Sequence, residues 1–152
     1  MSKSMTEMLD RAFGHPRGLL GRVGGAVMAH GNAATERHVT EVARIMPEET
    51  VLIVGSDPGP GTQRDDASID VVLSVNNMQT WQDRVACFAE LHRVLRPGGR
   101  LLLSAHDRWL PAPRHALAAE IEAAGFTDLQ TWVWQPPGVF STLAAQFRAI
   151  RG

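Results

Sequence analysis

Apolar residues recur at helical spacing before residue 47, and beyond it they alternate between strand-like runs and helical stripes. Met5, Met8, Leu9 and Ala12 predict a short amphipathic opening. Pro16, Gly18, Gly21, Gly24 and Gly25 interrupt it, so Arg17 to His30 reads either as a mobile helix with close backbone contacts or as a loop-rich cover. Asn32 is placed to cap the next helix, whose Val39, Val42, Ala43 and Met46 form one apolar face. Pro47 and Glu48 then turn the chain into a buried strand at Val51–Val54.

A glycine-rich turn, Gly55-Ser56-Asp57-Pro58-Gly59-Pro60-Gly61, follows that strand, and the next strand runs Val71 to Val75. Thr80 with Asp83 resembles a capping box for a helix whose buried stripe is Val85, Phe88, Leu91 and Leu95, stopped by Pro97-Gly98-Gly99. Arg100 to Ala105 has the pattern of a strand buried on both faces, and His106 to Pro113 that of a loop. Leu117, Ile121 and Ala124 mark a helix closed by Gly125 in a left-handed cap. Phe126 to Gln135 and Ser141 to Arg151 read as an antiparallel hairpin joined through Pro136-Pro137-Gly138. Strands alternating with helices imply an α/β fold with a mainly parallel sheet and a C-terminal antiparallel hairpin.

At 152 residues, 44% hydrophobic and 20% charged, the chain has the balance of one domain. Residues 1–46 read as a helical cover segment and 50–152 as the core. A net charge of −1 gives no basic footprint for nucleic acid, and no apolar run approaches the roughly 18 residues of a membrane span. The opening Met1-Ser2-Lys3-Ser4 lacks the apolar stretch of a secretory signal, so a soluble, cytoplasmic protein is expected. The single cysteine, Cys87, reads as a small buried side chain, and no Cys/His spacing suggests a metal.

A buried strand running into a glycine-rich turn marks a nucleotide-type cofactor site or its remains. Ligands of open parallel sheets lie at the carboxyl ends of the strands, where this chain carries Asn76, Asn77, His106 and Asp107. His106 is the candidate base by position, against the alternative of an exposed loop histidine. Asn76 and Asn77 are read as turn residues or as ligand contacts. Trp81, Trp109, Trp132 and Trp134 line a pocket, or else serve the core or an interface.

Several segments resemble the class I S-adenosylmethionine-dependent methyltransferases, particularly the small-molecule branch. Val51 to Gly61 resembles their first motif, and Ile69-Asp70-Val71-Val72-Leu73-Ser74-Val75-Asn76 the strand ending beside the methyl donor. Leu91-His92-Arg93-Val94-Leu95-Arg96-Pro97-Gly98-Gly99-Arg100-Leu101 is similar to the helix, turn and strand that follow, and Phe13 to Gly21 to a covering segment. The resemblance implies a Rossmann-like sheet, S-adenosylmethionine as cofactor, and Gly55, Ser56, Asp57, Gly59, Gly61 and Asn76 as its contacts. Asn77, Trp81 and Asp107 would line a pocket for a small-molecule substrate.

The chain also departs from that family. Only 14 residues separate Gly55 from Asp70, so about two strands and their helices are missing after the turn, along with the acidic residue that grips the donor's ribose. Ile53 stands where an acid is common, and Asp57 replaces a glycine, bringing bulk and negative charge toward the donor's carboxylate. Loss of a charge-assisted hydrogen bond plus a like-charge contact is expected to lower affinity by on the order of a hundredfold or more. Residues 56 to 69 leave room for little or no helix, so an uncovered sheet face and an edge strand near Val51 are expected to recruit a second copy or a protein partner. Two readings follow: a degenerate, non-catalytic binding or regulatory subunit, or an active small-molecule methyltransferase whose pocket is completed across a dimer. A relic without selected activity is the third.

Overall fold

Apolar periodicity and local charge pairing build the elements that position the strand ends. The computed structural model describes residues 33–59, 61–138 and 141–152; the predicted opening helix, the Asn32 cap and the covering segment lie outside these. Helix α1, Ala33–Ala43, buries Thr35, Val39 and Ala43, with Val42 packed beside them. Met46, expected on the same face, is 61% exposed because the helix has already ended. Arg100 closes that end: its Nε donates to the Ala43 carbonyl at 3.0 Å, and it pairs with Glu49 at 2.6 Å.

Five strands form one sheet: β1 (Val51–Ile53), β2 (Ile69–Val75), β3 (Leu95–His106), β4 (Phe126–Trp134) and β5 (Ala144–Arg151), in the order β1-β2-β3-β5-β4. The first three run parallel, and β5 is antiparallel to β3 and β4. This is the mainly parallel sheet with an antiparallel hairpin that the sequence predicts. Among the described residues β1 and β4 are the two outer strands, and no helix lies between β1 and β2.

Helix α2, Arg84–Val94, connects β2 to β3, and α3, Arg114–Ala123, precedes β4. Both pack on one face, where Phe88, Leu91, Leu117 and Ile121 are wholly buried with Leu101, Leu103 and Phe147 of the sheet. The other face carries Val51, Val71, Leu73 and Leu102 beneath α1. Of the run Arg100 to Ala105 expected to be buried on both faces, Leu101 to Ala105 are buried and Arg100 stays partly exposed, paired with Glu49.

Four local expectations are corrected. Thr80 does not cap α2; its hydroxyl donates to the Asn77 carbonyl at 2.7 Å, and Asp83 itself is the cap, accepting from the Ala86 amide at 3.0 Å. Starting at Arg84 turns Val85 outward, 72% exposed. Leu95 belongs to β3 rather than to the helix, and Pro97-Gly98-Gly99 lies inside that strand. Ile69 pairs with Leu95 and Val71 with Arg100, so the strand bulges there. Gly98 sits at φ +81°, and a Cβ on Gly99 would stand 2.8 Å from the Arg96 carbonyl. Finally, the sheet near β1 is not bare: Val51 is fully buried, Leu52 nearly so, and Ile53 only partly exposed.

Candidate functional site at the carboxyl ends of the parallel strands

The ends of β1, β2 and β3 are fastened together by the two asparagines. Asn77 Nδ2 donates to the Val54 carbonyl at 3.0 Å and the Val75 carbonyl at 2.8 Å, bridging β1 and β2. Asn76 adopts φ +57°, its amide donates to the Ser104 carbonyl at 2.7 Å, and its carbonyl accepts from Gln79 Nε2 at 2.8 Å. A left-handed backbone is tolerated by asparagine better than by most residues. Both asparagines thus shape the floor of the site.

The glycine-rich turn closes on itself through Asp57. One carboxylate oxygen accepts from the Gly59 amide at 2.7 Å and faces the Cys87 sulfur at 3.1 Å; the other accepts from the Gln82 amide at 2.8 Å. These bonds, the Gln82 amide first, hold the carboxyl below the usual carboxylate range. Burial, reinforced by Asp57, pushes the Cys87 thiol up to about 12, which keeps the sulfur protonated at neutral pH. Asp57 therefore spends its charge on the turn and the segment leading into α2. A Cβ on either Gly59 or Gly61 would meet nothing within 4 Å, but Gly59 stands at φ +58°, where glycine alone is free of strain. Gly55 lies just past β1, and Ser56 is exposed.

The connection onward to β2 is pinned to α2 by charge. Buried Glu90 accepts from the Thr62 amide at 2.5 Å and its hydroxyl at 2.9 Å, and from Arg93 at 2.6 Å. Arg93, whose guanidinium is held protonated above all by Glu90, also pairs with Asp66 and donates to the Arg64 carbonyl at 2.8 Å. The same contacts, led by Arg93, lower the Glu90 carboxyl to about 2. Sequence reading passed over this pair, although opposite charges three residues apart on a predicted helix were a visible signal.

His106 ends β3, half-buried, with Nδ1 at 2.6 Å from the Thr142 hydroxyl and its ring edge-on to Trp109. Trp109 is 56% exposed and carries Arg108 over its ring. An open depression of about 500 Å³ is lined by Asp107 and by Leu110 to Arg114, at the start of α3. Trp81, expected in a pocket, is instead a core residue at 4% exposure, edge-on to Phe88. Trp132 and Trp134 lie in β4: the first donates to Gln146 Oε1 at 2.7 Å, and the second stacks flat on His38 at 4.0 Å. No group of three His, Cys, Asp or Glu side chains suited to a metal occurs among the described residues, and no described helix is long and apolar enough to cross a membrane.

Residues 61–103 match the model of a methyltransferase domain family. The uncharacterized methyltransferase YdaC of Bacillus subtilis is 30% identical over 114 residues, which cover 68% of this chain and 60% of that protein. Among solved structures, a chain of the Haloferax volcanii complex between the Trm112 methyltransferase activator and a methyltransferase is similar with a TM-score of 0.61 at 11% identity, covering 94% of this chain and 97% of that one. A Thermotoga maritima S-adenosylmethionine-dependent methyltransferase is similar with a TM-score of 0.51 at 18% identity, covering 61% of this chain and 60% of that one. The chain thus spans about 60% of the length of the curated relative. The domain match and the curated relative both make the chain similar to methyltransferases, and its sheet has the Rossmann-like fold of the S-adenosylmethionine-dependent methyltransferase structures.

Proposed function

We propose that this chain is a degenerate methyltransferase-family subunit, cytoplasmic, whose own site does not hold S-adenosylmethionine tightly and which acts by binding another protein chain. The observation that carries this reading is the connection from β1 to β2. It supplies no strand beyond β1 among the described residues, and so no acidic strand end beside the position of the donor's ribose. The residues present fit only part of the cofactor. The turn from Gly55 to Gly61 and the left-handed Asn76 suit its amino-acid end, while Asp57 brings a carboxylate to the same turn. A chain of similar fold comes from the Haloferax volcanii complex between the Trm112 methyltransferase activator and a methyltransferase, which supports a protein partner.

A second reading, an active small-molecule methyltransferase whose pocket is completed by a neighbouring subunit, is favoured by His106. That residue lies at the same end of the sheet as the turn, with its imidazole oriented by Thr142. Calorimetry with S-adenosylmethionine and S-adenosylhomocysteine separates the two. Silence at millimolar ligand is expected of the binding subunit, whereas micromolar binding with one site per chain would transfer support to the enzyme. Asp57→Gly is expected to tighten whatever binding exists, and an unchanged affinity would mean that the turn no longer faces a ligand.

A further inference from the structure

The two outer strands of the sheet are unequal. Strand β1 offers three residues, and Val51 and Leu52 among them are buried. Strand β4 offers nine, most of them exposed, and no described strand pairs with its outer side. Long exposed edges are ordinarily blunted by charge, proline or a bulge. The first half of β4 has such protection, a register break between Thr127 and Gln130 with Asp128 at φ +51°. The second half, Gln130 to Trp134, has none, and the sequence from Leu129 to Leu143 contains no charged residue.

We infer that the second half of β4 is a self-association surface, at which two copies of this chain pair β4 against β4 in antiparallel fashion. Occupancy by a second copy follows from the charge pattern. A two-fold axis near Trp132 sets Gln130 against Trp134 of the other copy and Thr131 against Val133, and brings Asp128 across from Pro136, with no like charges facing one another. A continuous sheet across the axis satisfies the outward backbone groups of both edges. The strand is already held in shape for this. Trp132 is bonded to the buried Gln146, which donates to Ser104 Oγ at 3.2 Å, and Trp134 is stacked on His38. Little side-chain order remains to be lost on pairing. Val133, 39% exposed, and Leu143, 44% exposed, extend an apolar margin at the same end of the hairpin.

This surface goes beyond the proposed function, since it commits the chain to a second copy of itself at the edge opposite β1. Sedimentation of the full chain at micromolar concentration is expected to give a dimer, and Val133→Lys, which places a charge on the free edge, to weaken it by roughly tenfold or more. Hydrogen exchange of the unmodified chain supplies a second measurement: amides of residues 130–134 become more protected as protein concentration rises. A monomer throughout, or a dimer that Val133→Lys leaves intact while Ile53→Lys disrupts it, would overturn the inference. Neither result depends on whether the methyl donor binds, so this surface and the proposed function fail separately.

Discussion

Two parallel crossovers lie side by side in this sheet and are held by different forces. The crossover from β2 to β3 carries α2, and Cys87, Phe88, Leu91 and Val94 of that helix are wholly removed from solvent. The crossover from β1 to β2 has no helix among the described residues; its fastening is Asp57 on the Gln82 amide, Thr62 on Glu90, and Asp66 on Arg93. Hydrophobic cover is non-directional and scales with area, so it tolerates small shifts. Charge-assisted hydrogen bonds are directional, so a few oxygen atoms decide where the short loop lies. A short crossover without a helix can therefore hold its path, provided the neighbouring helix offers charge to fasten it.

The contrast breaks most sharply at Phe88. Phe88→Ala removes a wholly buried ring and is expected to destabilise the whole domain by about 3–5 kcal/mol, read from urea denaturation. Glu90→Gln should cost less, about 2 kcal/mol, because it weakens charge-assisted bonds while keeping most of the volume. Its signature is local: a protease cuts near Arg64 well before global unfolding, whereas Phe88→Ala opens both crossovers together.

Acid sharpens the same comparison. The Glu90 carboxyl titrates in the folded chain at about 2, below its ordinary value of 4.5. Its contribution is therefore complete above the ordinary value and is lost as pH falls toward 2. Asp57, also lowered, adds in the same direction. Thermal melts taken across this range should show a decline that Glu90→Gln flattens; an equal decline in both proteins would place the acid sensitivity elsewhere. The smallest effect is expected of Asp57→Asn, within about 1 kcal/mol, since the amide oxygen still accepts one of the backbone bonds and the site is open to water.

Much of this fold was legible from residue pattern. The run Leu101 to Ala105 is buried on both faces, Gly125 closes α3 at φ +104°, and β4 and β5 pair antiparallel as the hairpin pattern predicts. Misreadings fell where one residue changes the phase of a helix or the path of a strand. Asp83 rather than Thr80 starts α2, which turns Val85 outward, and Pro97-Gly98-Gly99 bends a strand instead of ending a helix. The candidate site was legible as a set of positions but not as contacts. Asn77 reaches back 23 residues to the Val54 carbonyl, and Asp57 reaches 25 residues forward to the Gln82 amide; no local spacing encodes either bond.

By itself the sequence determined which segments bury, since apolar periodicity is a local property, and it determined that the chain between the glycine-rich turn and Asp70 is too short for further strands. Only the tertiary structure decided how the remaining polar groups are used. Asp57 became a clasp within the turn, Trp81 entered the core, Glu90 anchored the crossover, and β4 rather than β1 is the longer outer strand among the described residues. Each outcome depends on which distant donor or apolar surface stands within a few ångströms, and that distance exists only once the chain is folded.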